Sequence, residues 1–157
     1  MRPFLFALIC LFTSAGISQE TIHILDVKNE IVLGPYAGNR NLAFGVQSIL
    51  EEIVQDRDYY LSEDSETTLQ VTLLYFDVKK TSIQIAVHGK NIDETQIIAR
   101  GELFVNGKKK KSTVAKGTSK EISTATLIID DGGGFSQAGV STALKKVCDQ
   151  IINKLKL

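Results

Sequence analysis

This 157-residue sequence has only two cysteines and two histidines, and its formal net charge is zero. The cysteines are Cys10 and Cys148, and the histidines are His23 and His88. The histidines fall on different predicted strands, outside any close group of His, Cys, Asp or Glu, so the sequence predicts no zinc site. Lys and Arg number 18, as do Asp and Glu. The chain therefore has no overall field that would attract nucleic acid or an acidic partner.

Long apolar runs are absent except near the N-terminus. Phe4 to Phe12 is continuously apolar, but it is too short to cross a bilayer as a helix. Arg2 precedes the run, and the small residues of Gly16-Ile17-Ser18 follow where a signal peptidase reads the chain. We therefore expect a signal peptide over residues 1–18 and a single domain over residues 19–157. The alternative interpretation is an N-terminal membrane anchor or a core helix.

Cleavage after Ser18 would leave Cys148 as the one remaining cysteine, with 17 basic and 18 acidic residues, because Arg2 is lost. An exported domain with one cysteine has no internal disulfide, so its core must hold it together. Cys10 lies within the apolar run, after Ala7-Leu8-Ile9. A lipidated cysteine follows small residues instead, so we interpret Cys10 as part of the signal peptide.

The middle of the chain has the pattern of β-strands. The clearest is Leu69–Val78, which lacks Gly and Pro and is rich in residues that favour extended backbone. Alternation places Leu69, Val71, Leu73 and Tyr75 on one face, and Phe76 and Val78 on the other. Further strands are predicted at Ser82–Gly89, Ile97–Val105 and Ile122–Ile129. The predicted connections are a tight turn at Lys79-Lys80-Thr81, polar turns at Lys90–Thr95 and Asn106-Gly107, and a polar stretch over residues 108–120.

Helical periodicity flanks these strands. Apolar spacing predicts a helix at about 40–56 and a closing helix at about 136–155. The stripe of the closing helix is Val140, Leu144, Val147, Ile151 and Leu155, widened by Cys148 and Ile152. Weaker patterns predict strands at Thr21–Val27 and Tyr59-Tyr60-Leu61. The fold class predicted is α+β, with a mainly antiparallel sheet of about five strands packed on two helices in the order strand-helix-strands-helix.

Few motifs carry chemistry. Gly132–Gly134 precedes a predicted helix, as in an anion site, but it lacks a phosphate-binding signature and follows two aspartates, so a plain connection is expected. Lys108, Lys109, Lys110 and Lys111 form a possible polyanion contact, or else a solvated hairpin tip.

Cys148 could act as a nucleophile with His88, although its place on the apolar stripe favours a buried thiol. The acids of Glu63–Glu66 and Asp93-Glu94 lack the spacing of a calcium loop. We expect no catalytic set, metal or cofactor.

The order of elements resembles the curli secretion-channel and YajG-like family of small bacterial envelope domains. The resemblance runs through NLAFG to ILEEI of the early helix, then YYL, LQVTLLYFDV with SIQIAVHG, IIARGELFV and the closing ALKKVCDQIINKL. It implies this fold and an envelope location, periplasmic or secreted. The chain departs from the family in lacking a lipid-anchor cysteine, and its Asn106–Lys120 stretch is too rich in Lys to face lipid, so no pore is implied.

Together these observations predict an exported, non-enzymatic envelope protein that binds other envelope proteins or itself. The expected contact surfaces are a free sheet edge and the outer sheet face, where Phe76, Ile98 and Phe104 are expected to be partly exposed. The second hypothesis is a ligand- or polyanion-binding module that uses Lys108–Lys111. The third is an enzyme with an unfamiliar site, which the sequence favours least because grouped acid–base or nucleophilic residues are missing.

Overall fold

The computed structural model describes residues 20–33, 42–85, 88–125 and 137–157. The predicted signal peptide, the Gly132–Gly134 connection and residues 126–129 of the predicted strand Ile122–Ile129 lie outside these ranges. The elements in chain order are β1 (Thr21–Ile24), β2 (Lys28–Leu33), α1 (Ala43–Gln55), β3 (Tyr60–Leu61), β4 (Thr67–Ile85), β5 (His88–Val105), β6 (Lys108–Ala125) and α2 (Gln137–Leu155).

The sheet is mixed, with six strands in the described part of the chain. Its order is β3-β1-β4-β5-β6, and β2 pairs with a later part of β4 than β1 does. β1 and β2 run parallel to β4, and β3 runs parallel to β1, whereas β4, β5 and β6 are antiparallel. Parallel pairing requires a crossover, which the segment containing α1 supplies. The α+β class is confirmed, and the expectation of about five mainly antiparallel strands is corrected to a mixed sheet of six.

Three predicted polar connections are strands, and their predictions were wrong. β4 continues through Lys79-Lys80-Thr81, β5 includes Lys90–Thr95, and β6 begins at Lys108. Lys79 lies opposite Glu94 and Lys80 opposite Asp93, and such cross-strand pairs of opposite charge stabilise an extended pair. The sequence shows these residues only as polar runs, because their partners are distant along the chain.

β2 was also missed. The predicted first strand, Thr21–Val27, ends at Ile24, and a separate strand begins at Lys28. All six residues of β2 are exposed or half-buried, so it lacks the apolar alternation that marks a strand in sequence. Pairing with β4, from Lys28 opposite Thr72 to Leu33 opposite Phe76, holds it extended.

A β-bulge in β4 reverses the predicted facing of its second half. The register with β5 shifts between Leu73 and Tyr75. One extra residue moves every later side chain to the other face. Phe76 and Val78 therefore join Leu73 in the core, with Phe76 0% exposed. The predictions that Phe76 lies on the opposite face and is partly exposed were both wrong.

The core lies between the sheet and the two helices. α1 falls within the predicted range of 40–56, and α2 begins and ends within one residue of the predicted 136–155. The whole predicted stripe of α2 is buried, together with Cys148 and Ile152. The side chain of Arg57, after α1, donates to Asn153 Oδ1 and to the Leu157 carbonyl, each at 2.7 Å. This arginine ties the C-terminal ends of both helices together.

Two glycines of the sheet let α2 approach closely. A Cβ on Gly117 would overlap the backbone carbonyl of Ala143, and one on Gly101 would overlap the side chain of Ile151. β6 presents the small residues Ala115, Gly117 and Ser119 to the helix, and all three are buried. This explains how a polar stretch forms a core-facing strand: its inner positions are small rather than large and apolar.

Candidate interaction surface

The antiparallel part of the sheet extends past the helices. Val78, Thr95 and Ser119 lie side by side in register and are all buried. Gly139 in the first turn of α2 lies beside Thr95 and Ser119 and also close to the carboxyl group of Glu121, so the helical layer ends near this row. Beyond it the strands continue as Lys79–Ile85, His88–Glu94 and Lys120–Ala125, which we call the β-arm. At about 3.3 Å per residue, these strands extend about 23 Å further.

Charged residues pair across the base of the β-arm. Glu94 of β5 lies between Lys79 of β4 and Lys120 of β6. One step further, Asp93 lies between Lys80 and Glu121. The opposite charges of Glu94 with its two lysine neighbours, and of Asp93 with Lys80, favour strand pairing here. The like charges of Asp93 and Glu121 oppose it. Asp93-Glu94 therefore belongs to a strand and not to the polar turn that the sequence predicts over Lys90–Thr95.

An apolar pair follows these charges along the β-arm. Ile92 lies opposite Ile122, and Ile122 is 63% exposed. An exposed isoleucine on a strand leaves apolar area in water that a partner could cover. The β-arm thus combines a charged base with an apolar position further out.

The β6 edge of the β-arm has no further strand paired to it among the described residues. β6 pairs with β5 alone, and the pairing of β2 with β4 ends at Leu33 opposite Phe76, before the β-arm begins. An unpaired strand edge presents backbone N–H and C=O groups that can bond to another extended chain. The expected free sheet edge therefore lies in the β-arm, while the predicted short edge strand, β3, lies at the far side of the sheet.

The outer sheet face carries a mixture of apolar and polar side chains. Ile98 and Phe104, which the sequence predicts to be partly exposed, are half-buried there. Val114 of β6 is 51% exposed and lies opposite the half-buried Arg100. Apolar side chains on this face are therefore interspersed with charge rather than gathered into one patch.

The four lysines Lys108–Lys111 lie at the end of the β5–β6 hairpin. Asn106 and Gly107 form the predicted turn, with φ angles of 51° and 70°. All four lysines are exposed, but two of them have partners within the protein. Lys109 Nζ lies 2.9 Å from Glu102 Oε1, and Lys111 Nζ donates to the Leu155 carbonyl at the end of α2. A polyanion would have to compete for these two side chains.

Catalytic candidates do not assemble into a site in the described structure. Cys148 is 0% exposed, and burial raises the pKa of its thiol to about 12, with a smaller contribution from Asp149. The thiol is therefore protonated at neutral pH, whereas the nucleophilic form of cysteine is the thiolate. The side chain of His88 lies outside the described residues. Among the described side chains, no three His, Cys, Asp or Glu residues are grouped so as to hold a metal ion.

No helix in the described ranges has the length and hydropathy needed to span a membrane.

Comparison with protein-family models and with curated proteins gave no match. Solved structures do share the fold. The chain resembles a hypothetical protein from Chlamydia trachomatis, with a TM-score of 0.54 and 8% identity over 88% of this chain and 96% of that one. It also resembles a protein described as a neuraminyllactose-binding hemagglutinin homologue from Helicobacter pylori, with a TM-score of 0.50 and 12% identity over 88% and 83% of the two chains. A minor lipoprotein from Acinetobacter baumannii gives a TM-score of 0.48 and 7% identity over 87% and 92%. At these identities the likeness to the first two proteins concerns the fold alone.

Proposed function

We propose that this protein is an exported, non-enzymatic envelope protein that binds other proteins, itself included, by strand addition at the β-arm. A role as an assembly or secretion accessory, of the kind that the curli-like resemblance implies, fits this activity. The observation that carries the proposal is the β6 edge of the β-arm, which continues past Ser119 with β5 as its one partner strand in the described structure.

Strand addition suits this surface for a physical reason. The backbone groups along a free edge provide hydrogen bonds to any extended segment, and the exposed side chains then select among segments. On β6, Lys120 and the exposed Ile122 lie two residues apart and so on the same face. A segment with an acidic residue and an aliphatic residue at the same spacing would complement them.

Export is supported by the sequence of residues 1–18. Arg2, the apolar run and the small residues before Gln19 together have the pattern of a secretory signal peptide. The near balance of 18 basic and 18 acidic residues supports a protein partner over nucleic acid.

The absence of enzymatic activity is proposed from the state of the best nucleophile candidate. Cys148 is fully buried, and burial raises the pKa of its thiol far above neutral pH. An active-site cysteine needs the opposite, a lowered pKa and access to a substrate.

Site-specific photocrosslinking in the native host tests this function. A photoreactive amino acid at Ile122 should yield a discrete crosslinked protein, because this side chain lies on the free part of the sheet. The matched control carries the same amino acid at Lys145, which is exposed on α2 and whose Nζ lies 3.7 Å from Glu52 Oε1. Uncrosslinked monomer alone at both positions, together with a monomer from native isolation, would contradict the proposal.

The polyanion-binding module is the second candidate, favoured by the four consecutive exposed lysines at the hairpin end. Lys108 and Lys110 would provide most of the contact, because Lys109 and Lys111 have partners within the protein. Replacing Lys108–Lys111 with Ser should then abolish retention on heparin and on anionic lipid vesicles. Unchanged retention would remove this hypothesis.

A further inference from the structure

Three side chains of α2 extend to the edge of β6 and donate hydrogen bonds to its backbone. Lys154 Nζ donates to the Val114 carbonyl at 2.9 Å, and Gln150 Nε2 donates to the Lys116 carbonyl at 3.1 Å. Lys146 Nζ donates to the Thr118 carbonyl at 3.0 Å. The donors recur every fourth residue along the helix, and the acceptors recur every second residue along the strand.

The spacing of these bonds follows from the geometry of the two elements. Four residues of an α-helix rise about 6 Å, and two residues of a strand extend about 6.7 Å. The two repeats differ by less than 1 Å, so donors and acceptors stay in step over three pairs. The three hydrogen bonds therefore form a periodic row. This row requires α2 to run antiparallel to β6.

The three carbonyls are those that an added strand would use. In an antiparallel sheet, alternate residues direct their backbone groups towards one neighbour and the others away from it. Because α2 reaches Val114, Lys116 and Thr118, their carbonyls are available at the free edge and not committed to β5. An incoming strand would have to displace two ammonium groups and an amide from this stretch, and lysines at an edge are a known defence against pairing.

The row ends where the β-arm begins. Lys120–Ala125 lies beyond Thr118, and the helix position four residues before Lys146 is Thr142, whose side chain is short. Among the hydrogen bonds of the described residues, the row of α2 side chains bonded to the β6 backbone ends at Thr118. β6 is therefore divided into a capped stretch beside the core and an uncapped stretch in the β-arm.

We propose that Lys146, Gln150 and Lys154 form an edge guard that prevents a second copy of this chain from pairing with β6 along Val114–Thr118. Once the guard is removed, β6 of a second copy can pair antiparallel with this stretch of β6. A pair centred on Lys116 places Val114 opposite Thr118 of the other chain. The guard confines strand addition on β6 to Lys120–Ala125. Only this last consequence rests on the proposed function.

The test is the self-association of purified protein lacking the guard. The triple variant Lys146→Ala, Gln150→Ala, Lys154→Ala should dimerise, with a dissociation constant lower than that of the unaltered protein by about tenfold or more in sedimentation velocity. A control variant, Lys145→Ala with Lys156→Ala, removes the same amount of charge without touching β6 and should behave as the unaltered protein does.

Two further variants make the outcome specific. Lys116→Cys should form an interchain disulfide in the guardless protein and not in the guarded one, because a two-fold antiparallel pair brings these positions within disulfide range. The variant Lys146→Arg with Lys154→Arg leaves Gln150 in place, keeps a long cationic donor at both lysine positions and should suppress association as the unaltered protein does. Should the triple variant lose its helical circular dichroism, the single Lys146→Ala and Lys154→Ala variants decide by the same measurement.

Equal self-association of the folded guardless protein and the charge-matched control would overturn the guard. That result is independent of the crosslinking at Ile122, which concerns partners in the cell. A guard confirmed without a captured partner refutes only the proposed function, and a captured partner without a guard effect refutes only this inference.

Discussion

At the scale of single residues, Gly117 decides how closely α2 lies on the sheet. Its position opposite the Ala143 carbonyl leaves no room for a Cβ, and the obstacle is helix backbone rather than a side chain that can rotate away. Gly101 is different, because a Cβ there would meet the flexible side chain of Ile151 first. The chain therefore depends on glycine at Gly117 for packing, not for an unusual φ angle.

We expect Gly117→Ala to lower the free energy of unfolding by about 1–3 kcal/mol, the range for overpacking a well-filled core. Gly45→Ala is the control, since a Cβ there would sit 3.8 Å from Leu144 Cδ1, an ordinary contact. In the interior of α1 this replacement should raise stability by up to about 1 kcal/mol. Urea denaturation of both variants measures the difference, and similar effects at the two positions would show that α2 is free to shift outward.

Cys148 predicts a pH dependence of stability. Burial raises the pKa of its thiol from 9.0 to about 12, so the unfolded chain loses this proton at lower pH than the folded chain. The contribution of this thiol to the free energy of unfolding is therefore fully present below about pH 9. It declines as the pH rises towards 12, by at most about 1.4 kcal/mol per pH unit.

Urea denaturation at alkaline pH should show this decline, and Cys148→Ala should show a shallower one. The comparison isolates the thiol, because Tyr59, whose pKa is also raised by burial and by Glu20, is present in both proteins. A thiol reagent should label Cys148 only after unfolding. Rapid labelling of the native protein would mean that the thiol is accessible.

At the scale of elements, the turn of the β5–β6 hairpin is predicted directly by the Asn106-Gly107 dipeptide. Asn106 and Gly107 both have positive φ, which the two-residue turn of a hairpin requires and which Gly adopts without strain. The register that this turn sets holds for Val105 opposite Lys108 and Phe104 opposite Lys109, and a β-bulge then shifts it before Leu103.

Gly107→Ala should destabilise the protein by about 1 kcal/mol, because alanine pays a steric cost at this φ angle. Nothing lies within 4 Å of the added Cβ, so crowding does not contribute. Asn106→Gly, which relieves the same constraint at the other turn position, should be tolerated. Thermal unfolding followed by circular dichroism checks both, and an unchanged melting temperature for Gly107→Ala would contradict the turn assignment.

At the scale of the whole molecule, the proposed export depends on the N-terminal segment. We expect the exported protein to begin at Gln19, since residues 18 and earlier carry the signal pattern. Intact mass spectrometry of protein from the envelope fraction measures this. A mass that retains residues 1–18 would favour the membrane-anchor interpretation, and a cytosolic location would remove the envelope role.

The sequence by itself determined the parts of this protein that depend on near neighbours. The apolar stripe of α2, the range of α1, the centre of β4 and the turn at Asn106-Gly107 were all predicted, because each follows from a short period or a dipeptide. The burial of Cys148 followed from the same stripe. The four lysines were correctly placed at a hairpin end for the same reason, and their use by the molecule stays a prediction.

The tertiary structure alone decided the rest, because pairing across strands joins residues far apart in sequence. It made strands of three polar stretches, set β1 and β2 parallel to β4, and through one bulge turned Phe76 inward. The β-arm and the edge guard also became visible only there. A strand is an edge strand only when no other strand pairs beside it, and this depends on the whole sheet. The edge guard depends on the spacing of side chains on α2 relative to carbonyls on β6, which no local sequence pattern shows.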